Sequence, residues 1–189
     1  TELTLFAPNH PRLLANFAGA CAANGANISG AHVTTTRDGY ALDTFVLARG
    51  AGEDEDELRR ARRIEETIAR LLRGETWVTA LLSNRRPTPP RVEAFTVEPE
   101  VYVNNALSDV FTVIEVAGRD RTGLLYELTT ALSDLSLDIA SAHIATFGEK
   151  ALDVFYVTDL TNKKIENEVR QDAIRERLTK ILEGPESAS

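Results

Sequence analysis

The stretch that decides the fold is AGRDRTGLLYEL, residues 117 to 128. An apolar, β-branched run, FTVIEVA, stops at a charged turn, and Gly123 then opens a run whose apolar residues recur at helical spacing. A strand, a tight polar turn and a helix starting at glycine leave the first backbone N–H groups of that helix facing the turn. Without a Cβ, Gly123 lets a ligand approach that backbone, and a helix N-terminus favours an anionic group such as a carboxylate. Relief of crowding at a tight strand-to-helix turn explains the glycine as well, and on the loop alone that reading is the favoured one. The run lacks the spaced glycines and the Lys-Ser/Thr pair of a nucleotide P-loop.

Working outward, the stretch belongs to a repeat. Residues 3–47 match residues 113–157 with one residue removed at a turn. Leu13, Leu14, Ala20, Ile28, Ala31, His32 and Thr35 match Leu124, Leu125, Ala131, Ile139, Ala142, His143 and Thr146, and ALD.F recurs at Ala41–Phe45 and Ala151–Phe155. Asn9 corresponds to Asp120 and Asn27 to Asp138, so the polar positions agree in kind.

Periodicity reads each copy as β, α, β, β, α. In the first copy ELTLFA is a strand, the next helix stops at NGAN with Gly25 as its left-handed cap, and ISGAHVTTT with ALDTFVLA forms a hairpin around RDG. Leu58, Ala61, Ile64, Ile68, Leu71 and Leu72 form the apolar stripe of a second helix, with acids at its start and Gly74 at its end. Its charge runs read as a solvated face rather than a nucleic-acid patch. The second copy predicts a strand over 110–117, a helix over 123–136, strands over 138–147 and 151–159, and a helix near 165–183 striped by Ile165, Val169, Ile174, Leu178, Ile181 and Leu182. TWVTALLS reads as a short helix or a strand, SNRRPTPPR as an extended connector, and GPESAS as a frayed tail.

The fold class is therefore α+β, two ferredoxin-like units of antiparallel sheet with helices on one face. The boundaries are 1–85 for the first unit, 86–108 for a proline-rich connector and 109–184 for the second. Such a sandwich has a fourth strand, for which the second copy has no sequence left. EAFTVEPEVYV, residues 93–103, divided by Pro99, is expected to edge the first sheet with one piece and the second with the other.

Composition excludes several classes. Net charge is −8, from 21 basic and 29 acidic residues, which argues against phosphate-backbone binding. No apolar run spans a bilayer and no signal-peptide pattern opens the chain, so a cytoplasmic location is expected. A single cysteine, Cys21, forms no internal disulfide and reads as a buried small residue; three histidines are too few for a structural metal site. The absence of methionine and the start inside a strand-like run suggest a piece of a longer chain.

The matched Asp120/Asp138 and Asn9/Asn27 pairs favour a ligand. In each copy one member ends the first strand and the other begins the second, so a short polar side chain can hold an ammonium while helix N–H groups hold a carboxylate. That suits an α-amino acid.

With these residues in place, RDRTGLL and DIASAHI resemble the ACT domain, a small module that binds amino acids in many metabolic enzymes. FAPNHPRLLA, TTRDGYALDTF, FTVEPEV and the second copy, in this order, are similar to the tandem ACT tail of the bifunctional PII uridylyltransferase/uridylyl-removing family. The resemblance implies a regulatory part rather than a catalytic one. L-glutamine would be the allosteric ligand, controlling uridylylation and deuridylylation of the PII protein by upstream nucleotidyltransferase and phosphodiesterase parts. It implies no cofactor in this stretch, with Mg and UTP used by the catalytic parts. Carried over residue by residue, the ligand positions are Asn9, Arg12, Leu13, Asn27 and Ile28 in the first copy, and Asp120, Arg121, Thr122, Gly123, Leu124, Asp138 and Ile139 in the second. Arg12 stands where Gly123 stands and either closes its turn or attracts the ligand carboxylate. ACT units that pair side by side would bring Asn27 to Asp120 and Asp138 to Asn9, with ligand at the shared interface and homodimer formation open.

Other readings stay beside this one. His32 and His143 are read as structural, facing Phe45 and Phe155; Asp43 and Asp153 are expected to face solvent or the interface between copies. A stand-alone tandem regulator acting through protein contacts is one alternative. An acyl-phosphate hydrolase using Arg12 and Asn27 is another, on fold analogy alone.

Overall fold

The computed structural model describes residues 1–49, 54–83 and 97–184. The first copy supplies β1 (Glu2–Pro8), α1 (Leu13–Ala23), β2 (Ile28–Thr34), β3 (Tyr40–Leu47) and α2 (Asp54–Leu72), followed by the short α3 (Val78–Ser83). The second supplies β4 (Glu100–Asn104), β5 (Thr112–Arg119), α4 (Leu124–Asp134), β6 (Leu137–Phe147), β7 (Lys150–Asp159) and α5 (Glu168–Glu183).

All seven strands lie in one antiparallel sheet of order β1-β3-β2-β6-β7-β5-β4. The seam between the copies is β2 against β6, where His32 opposes His143 and Val33 opposes Ala142. Because His143 is the repeat equivalent of His32, a pseudo-twofold axis passes through that pair. Equivalent bulges, at Ile28/Gly30 and Ile139/Ser141, bend both seam strands where they begin.

The helices pack on one face of the sheet, and a single apolar cluster runs through both copies. Phe17 of α1 stacks on Phe45 of β3 with ring centroids 3.6 Å apart. Nine of the eleven α1 residues are buried, because the sheet, α2, α3 and α4 all contact this helix. Cys21 lies fully within that core, and burial pushes its thiol up to about 12. The opposite face of the sheet exposes Phe6, Leu42, Val46, Phe147 and Leu152.

Several expectations change. Two edged sheets are replaced by one, in which β2 and β6 join the copies. Glu100–Asn104 does edge the second unit, pairing with β5. Residues 93–96 of the other piece, the connector from 84 through Arg91 and the tail from Pro185 lie outside the described residues. Leu58, Leu72 and Val169 are exposed although the helical stripes include them, since α2 and α5 bury narrower faces than the spacing implies. Ile165 is buried ahead of α5, which starts at Glu168 with Asn167 as its N-cap, accepting from the Arg170 N–H at 3.0 Å. The histidines do not face the phenylalanines. His32 opposes Thr44 and His143 opposes Val154, one residue away, and the two rings meet on the open face with Nδ1 atoms 3.2 Å apart.

Candidate functional site between the repeats

The twofold relation places two cavities at the boundary between the copies. The larger, about 20 Å³, lies between the β5–α4 turn of the second unit and the start of β2 in the first. Asn27 and Ile28 form one wall, and Asp120, Arg121, Gly123 and Leu124 form the other. The smaller, about 10 Å³, brings Asn9 and Leu13 to Asp138 and Ile139. Six of the predicted positions thus share the first cavity and four share the second.

In the first cavity Asn27 donates from Nδ2 to Asp120 Oδ2 at 2.6 Å, a hydrogen bond between the two units. Burial raises the Asp120 carboxyl above its ordinary range; the Asn27 amide, the Thr146 hydroxyl and the Arg121 backbone N–H oppose that rise. The backbone N–H of Asp120 is tied to Glu149 O at 2.8 Å, which fixes the end of β5. In the second cavity the residue kinds are exchanged: Asn9, equivalent to Asp120, donates to Thr35 Oγ1 at 3.2 Å.

Gly123 is the N-cap of α4 at φ 94° and ψ −6°, a left-handed conformation that a side chain strains. A Cβ there would find only Ala22 of the other unit, at an ordinary 3.7 Å, so the backbone angle rather than crowding requires the glycine. No side chain caps α4, and its first residues through Tyr126 line the cavity. Arg12, the equivalent residue ahead of α1, sits at φ −104° and ψ 5°, outside the left-handed region, so it needs no such freedom. It neither closes that turn nor lines the second cavity: its Nη2 donates to Asp134 across the boundary at 2.9 Å. This arrangement also separates Arg12 from Asn27, so the acyl-phosphatase pair is not assembled. The Arg121 guanidinium is held by both oxygens of Glu127, at 2.5 and 2.7 Å, and donates to Ile181 O. Thr122 does not line either cavity.

Two further acids, left open by sequence between solvent and the interface of the copies, lie at that interface. Asp43 and Asp153 do not face solvent; they are buried to 1% and 3% exposure on the helix side, one lining each cavity. Burial first, then the nearby Asp120 charge, pushes the Asp153 carboxyl up to about 7, against the Ala145 backbone N–H. Asp43 is pushed up to about 6 by burial, against the Thr34 N–H and His32. The signal was in ALD.F: alternation puts the acid on the same face as the core residues Ala41 and Phe45. Tyr126, Thr146 and Ile144 also line the larger cavity and carried no motif. Among the described residues no group of three or more His, Cys, Asp or Glu could hold a metal, and no helix is long and apolar enough to cross a membrane.

An α+β fold of two βαββ units sharing one sheet, with paired polar sites at their boundary, defines a tandem of ACT regulatory domains. The ACT domain family matches residues 1–66, and the ACR9-like, ACT-like domain family matches residues 100–186. Over its full length the chain is similar to a part of the bifunctional uridylyltransferase/uridylyl-removing enzyme. It is 53% identical over 189 residues to that enzyme from Bradyrhizobium sp. strains ORS 278 and BTAi1, and 54% identical over 184 residues to that from Bradyrhizobium diazoefficiens. These matches cover 97–100% of this chain and 20% of each relative, so the chain spans about a fifth of their length. A crystal structure of an unknown protein from Galdieria sulphuraria aligns with 96% of the chain and 90% of its own, at 12% identity and a TM-score of 0.29.

Proposed function

We propose that this module senses L-glutamine and thereby controls uridylylation and deuridylylation of the PII protein by catalytic parts of the same enzyme. Support comes above all from one observation: Asp120, Asn27 and the uncapped start of α4, drawn from both units, converge on one cavity. The α-ammonium of an amino acid would take the place of the Asn27 amide against Asp120. Its α-carboxylate would lie at the α4 N-terminus, where backbone N–H groups and the helix dipole favour an anion.

The cavity of about 20 Å³ holds roughly one water. An amino acid therefore enters only if the units part, breaking the Asn27–Asp120 hydrogen bond. Binding is thereby coupled to the angle between the units about the β2–β6 seam, and only such a difference in affinity between two arrangements can carry a signal. Mg and UTP belong, in this reading, to the catalytic parts, and the setting is cytoplasmic.

Calorimetric titration with L-glutamine, with glycine and L-serine as controls, tests the proposal. Selective glutamine binding that is lost in Asp120→Ala is expected. Binding unaffected by Asp120→Ala would refute the assignment.

A further inference from the structure

Asp153 projects into the larger cavity from the middle of β7, only 3% exposed, and its Oδ1 has no hydrogen-bond partner among the described residues. A buried oxygen left unpaired costs about 1–3 kcal/mol, so a residue kept in that state points to a partner that arrives from outside. The surroundings narrow what that partner is. Asp120, across the cavity, already accepts from the Asn27 amide at 2.6 Å, and the Thr146 hydroxyl and Arg121 N–H also favour its charged form, whereas for Asp153 only the Ala145 N–H does so.

We infer that Asp153 is the specificity residue of this cavity, selecting a ligand whose side chain ends in a primary carboxamide over one ending in a carboxylate. The inference rests on the amino-acid reading of the site and deepens it. A carboxyl group that keeps its proton offers one O–H donor and one C=O acceptor side by side. A primary carboxamide offers the complement, one C=O and one NH₂, and the two close a pair of hydrogen bonds. Burial and the Asp120 charge both favour that protonated form near neutrality. A ligand carboxylate in the same place would set a third acidic group beside Asp120 and Asp153, a like-charge contact in a poorly solvated site. An alkyl chain of the same length would leave Oδ1 unpaired.

The test compares L-glutamine, L-glutamate and L-norvaline by calorimetry on this chain, on Asp153→Asn and on Asp120→Ala. The native chain is expected to bind glutamine at least about tenfold more tightly than glutamate or norvaline, the equivalent of one buried hydrogen bond to the ligand. Asp153→Asn keeps the shape but removes the acid, so the glutamine-to-glutamate ratio is expected to shrink about tenfold, chiefly through tighter glutamate binding. An unchanged ratio in Asp153→Asn, with binding still lost in Asp120→Ala, overturns the role of Asp153 and leaves the site standing. Failure of the native chain to bind any of the three overturns both. The norvaline comparison needs no variant: equal affinity for glutamine and norvaline rules out the amide contact even if Asp153→Asn fails to fold.

Discussion

Asp153 and Gly123 are both departures from local rules that the site explains. An acid between Ala151 and Phe155 on a core face is expensive, and its expense has a sign in pH. Its folded pKa, about 7, lies above the ordinary 3.8, so the folded chain holds a proton that the unfolded chain has released. That contribution is complete below about pH 4 and is lost as pH rises towards 7, at about 1.4 kcal/mol per pH unit. Urea unfolding of the native chain and Asp153→Asn between pH 5 and 7 should show the native chain losing stability relative to the variant as pH rises; a gap constant with pH contradicts the buried-acid account. Gly123→Ala should cost about 1–2 kcal/mol in the same assay, since φ 94° is strained for any residue with a Cβ although its surroundings have room. At this scale the glycine was legible because it stands between a charged turn and the first residue of a helical run. The acids were seen as mid-strand residues facing either solvent or the interface between copies, and the structure selects the interface; sequence left the choice open because a single polar letter in an alternating run does not say whether its side is covered.

Strands and helices were the most legible features, since each copy checks the other. ALD.F and the RDG turn located the hairpins, and the spacing of Leu124, Leu125 and Leu128 located α4. Register was not legible: a slip of one residue exchanges faces, and the bulges after Ile28 and Ile139 shift the pairing in a way no local composition announces. That is why His32 meets His143 rather than Phe45. Helix packing carries its own test at Gly19 of α1, where an added Cβ would overlap Val78 of α3 and press on Tyr126 of α4. Gly19→Ala should therefore destabilise by about 1–3 kcal/mol from overpacking, outweighing the helix-propensity gain of about 1 kcal/mol, as thermal unfolding would show. A stabilised variant would mean that α1, α3 and α4 are not this close.

At the scale of the molecule, the repeat builds one sheet whose seam lies beside two cavities of the same acid and amide content in exchanged order. Pairing of the two units was legible from the ACT resemblance, and Asn27 does meet Asp120; the smallness of the cavities was not, because volume depends on side-chain packing that no motif records. A ligand at this boundary would touch both units at once, which is what would allow it to change their relation. Hydrogen exchange with and without saturating L-glutamine tests that claim most directly. The account predicts slowed exchange together at the start of β2, around Asn27 and Ile28, and at the start of α4, from Gly123 to Glu127. Protection confined to one unit, or falling on the open face of the sheet, would contradict it.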